Sequence, residues 1–151
     1  MDVFTVSLFG HRDVYDLVEL EKQLLPIIDG LIRGKEYVSF LIGRNGEFDE
    51  FAASIIKRVR RNFGKEQSDV TLVLPYGVAR IGFYEKYYDA IIIPESVFGA
   101  HPKAAIELRN RWMIERSDLV IVNVDHSFGG AYEAMKYAYK LGKTVERIKA
   151  R

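Results

Sequence analysis

Residues 119–133 read LVIVNVDHSFGGAYE, and this stretch decides the fold. Leu119 to Val124 is an apolar run broken only by Asn123, the pattern of a strand buried on both faces. It stops at Asp125-His126-Ser127-Phe128-Gly129-Gly130, and a helical pattern carrying Glu133 follows. Paired glycines let a backbone approach a ligand closely. The helix that opens there presents free N–H groups and about half a positive charge. A phosphate fits such a turn without any basic side chain. The plainer reading is a strand-to-helix turn that needs glycine, with Ser127 as its cap.

Working outward, the same unit recurs. Val3 to Phe9 is a short apolar strand ending in Gly10-His11-Arg12. Helical spacing follows from Val14 to Ile32, with Pro26 expected to kink or interrupt it and Gly34 closing it. Tyr37 to Ile42 is a second strand ending at Gly43, and Phe48 to Phe63 is an amphipathic helix stopped by Gly64. Strands are expected at Val70–Leu74, Ala90–Ile93 and Thr144–Ile148, and helices at Lys103–Arg116 and Ala131–Leu141. Strands alternating with helices specify an α/β fold: a Rossmann-like, doubly wound, mostly parallel sheet of five or six strands with helices on both faces. In such sheets ligands bind beyond the carboxyl ends of the strands. That points to three loops, 10–13, 43–49 and 125–130.

Composition bounds the rest. The 151 residues fit one domain spanning 1–151, with 48% hydrophobic and 28% charged residues. Cysteine is absent, which excludes disulfides, a thiolate zinc site and a cysteine nucleophile; no metal is expected. The 22 basic and 21 acidic residues leave a net charge of +1, so nucleic acid is not expected as a partner. No basic n-region opens the chain and no run approaches a membrane span, so a cytoplasmic protein without membrane contact is expected.

Each loop offers candidate chemistry. Arg12 suits a bidentate phosphate clamp, and His11 a donor to phosphate or ribose. Asp49, in the first turn of a helix, either complements the helix dipole or takes a ribose hydroxyl. Arg109 and Asn110 lie on the helix before the strand at Leu119, either reaching the ligand edge or standing as solvated charges. The basic run at Lys57-Arg58-Val59-Arg60-Arg61 reads as a solvated helix end. Tyr76, Phe83, Tyr84, Tyr87 and Tyr88 lie in an irregular stretch; they read as core packing, a lid over a base, or a subunit contact, and a homo-oligomer is expected.

These residues together resemble the SLOG superfamily, the Rossmann-like group containing LOG-type phosphoribohydrolases and the DNA-processing protein Smf/DprA, and most closely its YpsA-like branch. The resemblance rests on Phe9-Gly10-His11-Arg12, on Gly43 through Asp49 with Phe51-Ala52-Ala53, and on Leu72-Val73-Leu74-Pro75-Tyr76. It continues through Arg109-Asn110-Arg111-Trp112-Met113 to Arg116-Ser117-Asp118, and ends with Gly129-Gly130, Tyr137-Ala138 and Gly142-Lys143. It implies a pocket for a nucleotide derivative such as NAD, ADP-ribose or a nucleoside phosphate, with no cofactor required. In that pocket Gly10, His11 and Arg12 line the wall, and Gly43 and Asp49 flank the sugar. Arg109 and Asn110 contact the ligand or brace the loops, and Gly129 and Gly130, with Ser127, cradle phosphate. Three features depart from the family: Ala131 stands where threonine is usual, Arg44 and Glu47 replace small residues, and 77–100 follows no family pattern.

A sensor or binding module is the favoured class. The alternative is an enzyme acting at an N-glycosidic bond, because strand–Asp–loop–Gly-Gly-x-x-Glu–helix also resembles nucleoside deoxyribosyltransferases and LOG hydrolases. Glu133, one helical turn after Gly129 and so on the same ligand edge, would then be catalytic, with Asp125 or Asp49 as partner. A scaffold without ligand would show a collapsed pocket.

Overall fold

The computed structural model describes residues 2–44 and 46–149; Asn45 of the middle loop lies outside the described residues. Six strands form one sheet: β1 (Val3–Gly10), β2 (Tyr37–Ile42), β3 (Ser68–Val73), β4 (Ala90–Ile92), β5 (Leu119–Asn123) and β6 (Thr144–Ile148). Their order is β4-β3-β2-β1-β5-β6, and every neighbouring pair is parallel. The helices are α1 (Leu17–Gly34), α2 (Glu47–Phe63), α3 (Ile81–Tyr87), α4 (Pro102–Glu115) and α5 (Gly130–Lys140). The sheet grows one way from β1 through β4 and the other way from β5 to β6. The chain therefore reverses its winding between β1 and β5, and the loops leaving those two strands part to open a crevice.

The period-2 alternation of the strands builds two cores. Val6 and Leu8 of β1, Phe40 and Ile42 of β2 and Ile121 of β5 pack with Leu20, Leu24 and Ile28 of α1 and Ile55 and Ile56 of α2. On the other face Phe9, Leu41, Val120 and Val122 pack against Met113 and Ile114 of α4 and Ala134, Met135 and Ala138 of α5. Half of the family-like Arg109–Asp118 segment serves this second face. Ser117 Oγ lies 2.6 Å from Ser7 Oγ and donates to the Met113 carbonyl at 2.7 Å, tying the end of α4 to β1. Asp118 accepts from Thr5 N at 2.8 Å and returns its own N–H to Thr5 O, which sets β5 in register beside β1.

Three local expectations change. α1 begins at Leu17 because Asp16 caps it, accepting from Glu19 N at 3.0 Å; Val14 stays in the preceding loop, its N–H held by Glu47 Oε1. The helix also runs through Pro26 uninterrupted. Pro26 is exposed, while the stripe Leu20, Leu24, Ile28 and Ile32 is fully buried, and that burial outweighs one missing hydrogen bond. Finally, the stretch thought irregular contains α3. Tyr84, Tyr87 and Tyr88 pack onto the first core from it, while Phe83 faces solvent.

Candidate functional site

The crevice between β1 and β5 holds a pocket of about 500 Å³, so the ligand edge is not collapsed. The loops 10–13 and 125–131 form its two walls, and Asp49, Ile106, Arg109 and Asn110 reach it from α2 and α4. Thus Gly10, His11, Arg12, Asp49, Arg109, Asn110, Asp125, Gly129 and Gly130 converge on one space from β1, α2, α4, α5 and the two loops that follow β1 and β5. Gly43, Ser127 and Glu133 do not line it.

Close approaches explain how the first loop is seated. A Cβ on Gly10 would lie 2.2 Å from Cγ of Phe48, whose ring is fully buried, so the end of β1 passes directly against the start of α2. Glu47 clamps the same junction, donating its N–H to Arg12 O at 2.8 Å and accepting from Val14 N at 2.9 Å. The Glu47 that departs from the family pattern is therefore the brace of the first loop.

Gly43 acts at one remove. A Cβ there would lie 2.8 Å from Nη1 of Arg109 and 3.3 Å from Oδ2 of Asp49. Its hydrogen leaves room for the Arg109 side chain, only 3% exposed, to run under the sheet edge. There Nη1 donates to Val73 O at 2.9 Å and Nε to Asn110 Oδ1 at 2.8 Å. Burial pushes the Arg109 guanidinium below its ordinary value, opposed by the charges of Asp49 and Tyr76. An arginine stays charged even so, and this fixed cation is buried against the pocket.

On the opposite wall Gly129 is the N-cap of α5, with φ of 92° and no side-chain cap, so Ser127 does not cap this helix. The first N–H groups of α5 have no intrahelical partner and open at the pocket wall. Glu133, read from sequence as sharing this edge, instead lines a neighbouring groove between α4 and α5; its side chain is 62% exposed and lies 3.6 Å from Lys136. A residue one turn into a helix has rotated back toward the same face but sits below the rim, and here that face meets α4. The tyrosine-rich segment is also separate: Arg44, Val78, Ala79, Arg80, Phe83 and Tyr84 line a different hollow.

The structure adds two residues that sequence reasoning did not single out. The His126 ring stacks on His11 with centroids 3.5 Å apart at 13°, and Phe128 continues the stack at 4.0 Å with 68% of its surface exposed. The available signal was positional: the two strands flanking the switch point are each followed within three residues by a histidine. Asp125 ties the rings, donating its backbone N–H to His11 Nε2 at 3.1 Å and placing Oδ1 2.7 Å from His126 Nδ1.

Burial, and then the neighbouring His126, hold the His11 imidazole below its ordinary value, with Asp125 opposing. The folded protein therefore prefers His11 neutral, while the unfolded chain takes up its proton near pH 6.5. The resulting stability is complete above that pH and is lost as pH falls through the lower folded value. Melting temperatures followed from about pH 7.5 to 5.5 should fall further for wild type than for His11→Gln. Superimposable profiles would show that His11 contributes nothing to acid sensitivity.

No protein-family model matches the chain, and no curated protein matches it in sequence. Solved structures do. DNA processing protein A (DprA) from Streptococcus pneumoniae superposes with a TM-score of 0.65 at 19% identity, over 98% of this chain and 51% of that one. DNA processing protein A from Helicobacter pylori, described in its single-stranded DNA binding mode, superposes with a TM-score of 0.66 at 14% identity, over 98% of this chain and 66% of that one. The chain thus spans about half to two thirds of the length of these structures. The second neighbour overturns the expectation that nucleic acid is no partner. That expectation rested on net charge, a whole-chain sum that is blind to how one crevice is lined. Among the described residues no helix is long and apolar enough to cross a membrane. Placement in the YpsA-like branch rests on the sequence motifs alone. The chain has a Rossmann-like fold similar to that of these DNA processing protein A structures, with its candidate site at the switch point of the sheet.

Proposed function

We propose that the chain binds a nucleotide unit in the switch-point crevice, either as a free nucleotide derivative or as one unit of a single-stranded nucleic acid. The observation that carries this reading is the convergence of an uncapped helix N-terminus, Arg12, the buried Arg109 guanidinium and the half-buried Asp49 on one pocket of about 500 Å³. The phosphate takes the N–H groups at Gly129 and Gly130, with Arg12 closing from the other loop. Asp49 accepts from ribose hydroxyls. The exposed ring of Phe128, backed by His126, offers a face to the base. The single-stranded DNA binding of the Helicobacter pylori neighbour supports the polymer as one source of that unit, and NAD, ADP-ribose and nucleoside monophosphates are the free alternatives. A cytoplasmic binding or sensing module accommodates either. Catalysis by Glu133 lacks comparable support, because its carboxylate lies outside the pocket.

Calorimetry tests the reading with AMP, NAD, ADP-ribose, adenosine and a short single-stranded oligonucleotide. Arg12→Ala should weaken the phosphorylated ligands by about 1.5–3 kcal/mol, the range of charge-assisted hydrogen bonds, and adenosine far less. The oligonucleotide should compete with AMP, and its affinity should fall more steeply with salt if several phosphates are engaged. Equal losses for AMP and adenosine, or no binding by any of the five, would overturn it.

A further inference from the structure

The loops that build the crevice also place three metal-ligating groups together. His11 follows β1, while Asp125 and His126 follow β5, and one ligand atom from each lies within 4.8 Å of the other two. We propose that His11, Asp125 and His126 form a site for one divalent first-row transition ion of the zinc type, on the wall of the nucleotide pocket. This goes beyond nucleotide binding and is tested with the metal alone.

The spacing supports it. Ligand atoms bonded tetrahedrally at about 2.0–2.1 Å stand roughly 3.3–3.4 Å apart. Asp125 Oδ1 is 3.4 Å from His11 Nε2, already at that separation, and 2.7 Å from His126 Nδ1, which has to open slightly. The donor set also selects the ion. Two imidazoles and one carboxylate suit zinc, cobalt or nickel, whereas magnesium and calcium prefer oxygen ligands throughout. Three protein ligands leave a fourth position free. His11, Asp125 and His126 line the same pocket as Gly129 and Gly130, so that position opens into the space assigned to phosphate. The ion would add positive charge to a pocket whose side chains include Asp13, Asp49 and Asp125 against Arg12 and Arg109.

One rearrangement is required. An imidazole lone pair lies in the plane of its ring, and the two rings are stacked at 13° with centroids 3.5 Å apart, so the planes do not meet near the site. Their nitrogens converge on a common ion only if one ring turns. His126 is the ring that can turn, since its side chain is 36% exposed on the loop against 12% for His11. The cation also replaces the Asp125 N–H at His11 Nε2, and that N–H, in an exposed residue, can turn to water. Binding and stacking therefore exclude each other, which gives a signature that adventitious surface binding lacks.

The experiment titrates Zn²⁺, and separately Mg²⁺, into the full chain, and records the visible spectrum with Co²⁺. The expected result is one Zn²⁺ per chain, a tetrahedral Co²⁺ band, and no Mg²⁺ binding. His126→Ala and Asp125→Asn should each weaken Zn²⁺ by at least about tenfold, with melting curves confirming the fold. His101→Ala removes the third histidine, which sits at the start of α4 accepting from Lys103 N, and should leave Zn²⁺ affinity unchanged. Absence of Zn²⁺ binding, or wild-type affinity in His126→Ala, would overturn the site. So would loss of binding in His101→Ala alone. None of these results bears on nucleotide affinity measured without metal.

Discussion

Replacing Gly10 with alanine should lower the melting temperature by roughly 2–12 °C, taking overpacking at about 1–3 kcal/mol and about 2–4 °C per kcal/mol for a domain of this size. The cause is a single contact. The new Cβ would meet Cγ of Phe48 at 2.2 Å and its two Cδ atoms at 2.5 and 2.6 Å. Phe48 cannot yield, because it is fully buried in the core shared by α1, α2 and the sheet. The end of β1 has to move, and it carries His11 and Arg12 with it, so nucleotide affinity should fall as well. The double variant Gly10→Ala/Phe48→Leu should regain part of the loss, since a smaller side chain makes room. Thermal unfolding of the four proteins closes the cycle. A Gly10→Ala protein that melts with wild type would mean this junction is slack.

Arg109→Met should be the second most damaging change. The methionine fills much of the volume but leaves the Val73 carbonyl without its donor and removes the positive charge that Asp49 favours. Leaving a buried acceptor unsatisfied costs about 1–3 kcal/mol, and that is the loss expected here. Gly43→Ala presses on the same guanidinium. Its Cβ would meet Nη1 of Arg109 at 2.8 Å, and because that nitrogen is buried and donates to Val73 O, the fold should lose about 1–3 kcal/mol through overpacking. Denaturant unfolding with calorimetry should show stability and affinity falling together in both variants, because each disturbs the same buried guanidinium beside the pocket. Wild-type stability in Arg109→Met would contradict the anchoring role.

Much of this was legible in the sequence because burial on both faces writes itself as uninterrupted apolar runs. Val3–Phe9 and Leu119–Val124 announced the two strands at the switch point, and their terminal loops announced the crevice. What failed was local. Helix α3 has seven residues, too few for its periodicity to show among so many aromatics, and it starts from Arg80 in a left-handed conformation with φ of 59°. Pro26 was weighed by its missing N–H, whereas the buried stripe on the other face decides that helix. Glu133 was placed by counting one turn from Gly129, which gives its angle about the helix but not its depth below the rim. The histidine stack shows only once β1 and β5 are known to pair, because His11 and His126 are neighbours through that pairing and the sole signal along the chain is a histidine soon after each strand.

Titrating AMP into isotopically labelled protein and following the backbone amides tests the central claim most directly. Binding in the switch-point crevice predicts the largest shifts at residues 10–13 and 125–131, the two loops that line the pocket, with smaller ones near Asp49. Shifts concentrated instead around Arg80, Phe83 and Tyr84, or around Lys136 and Lys140 in the groove between α4 and α5, would put the ligand elsewhere and contradict the account.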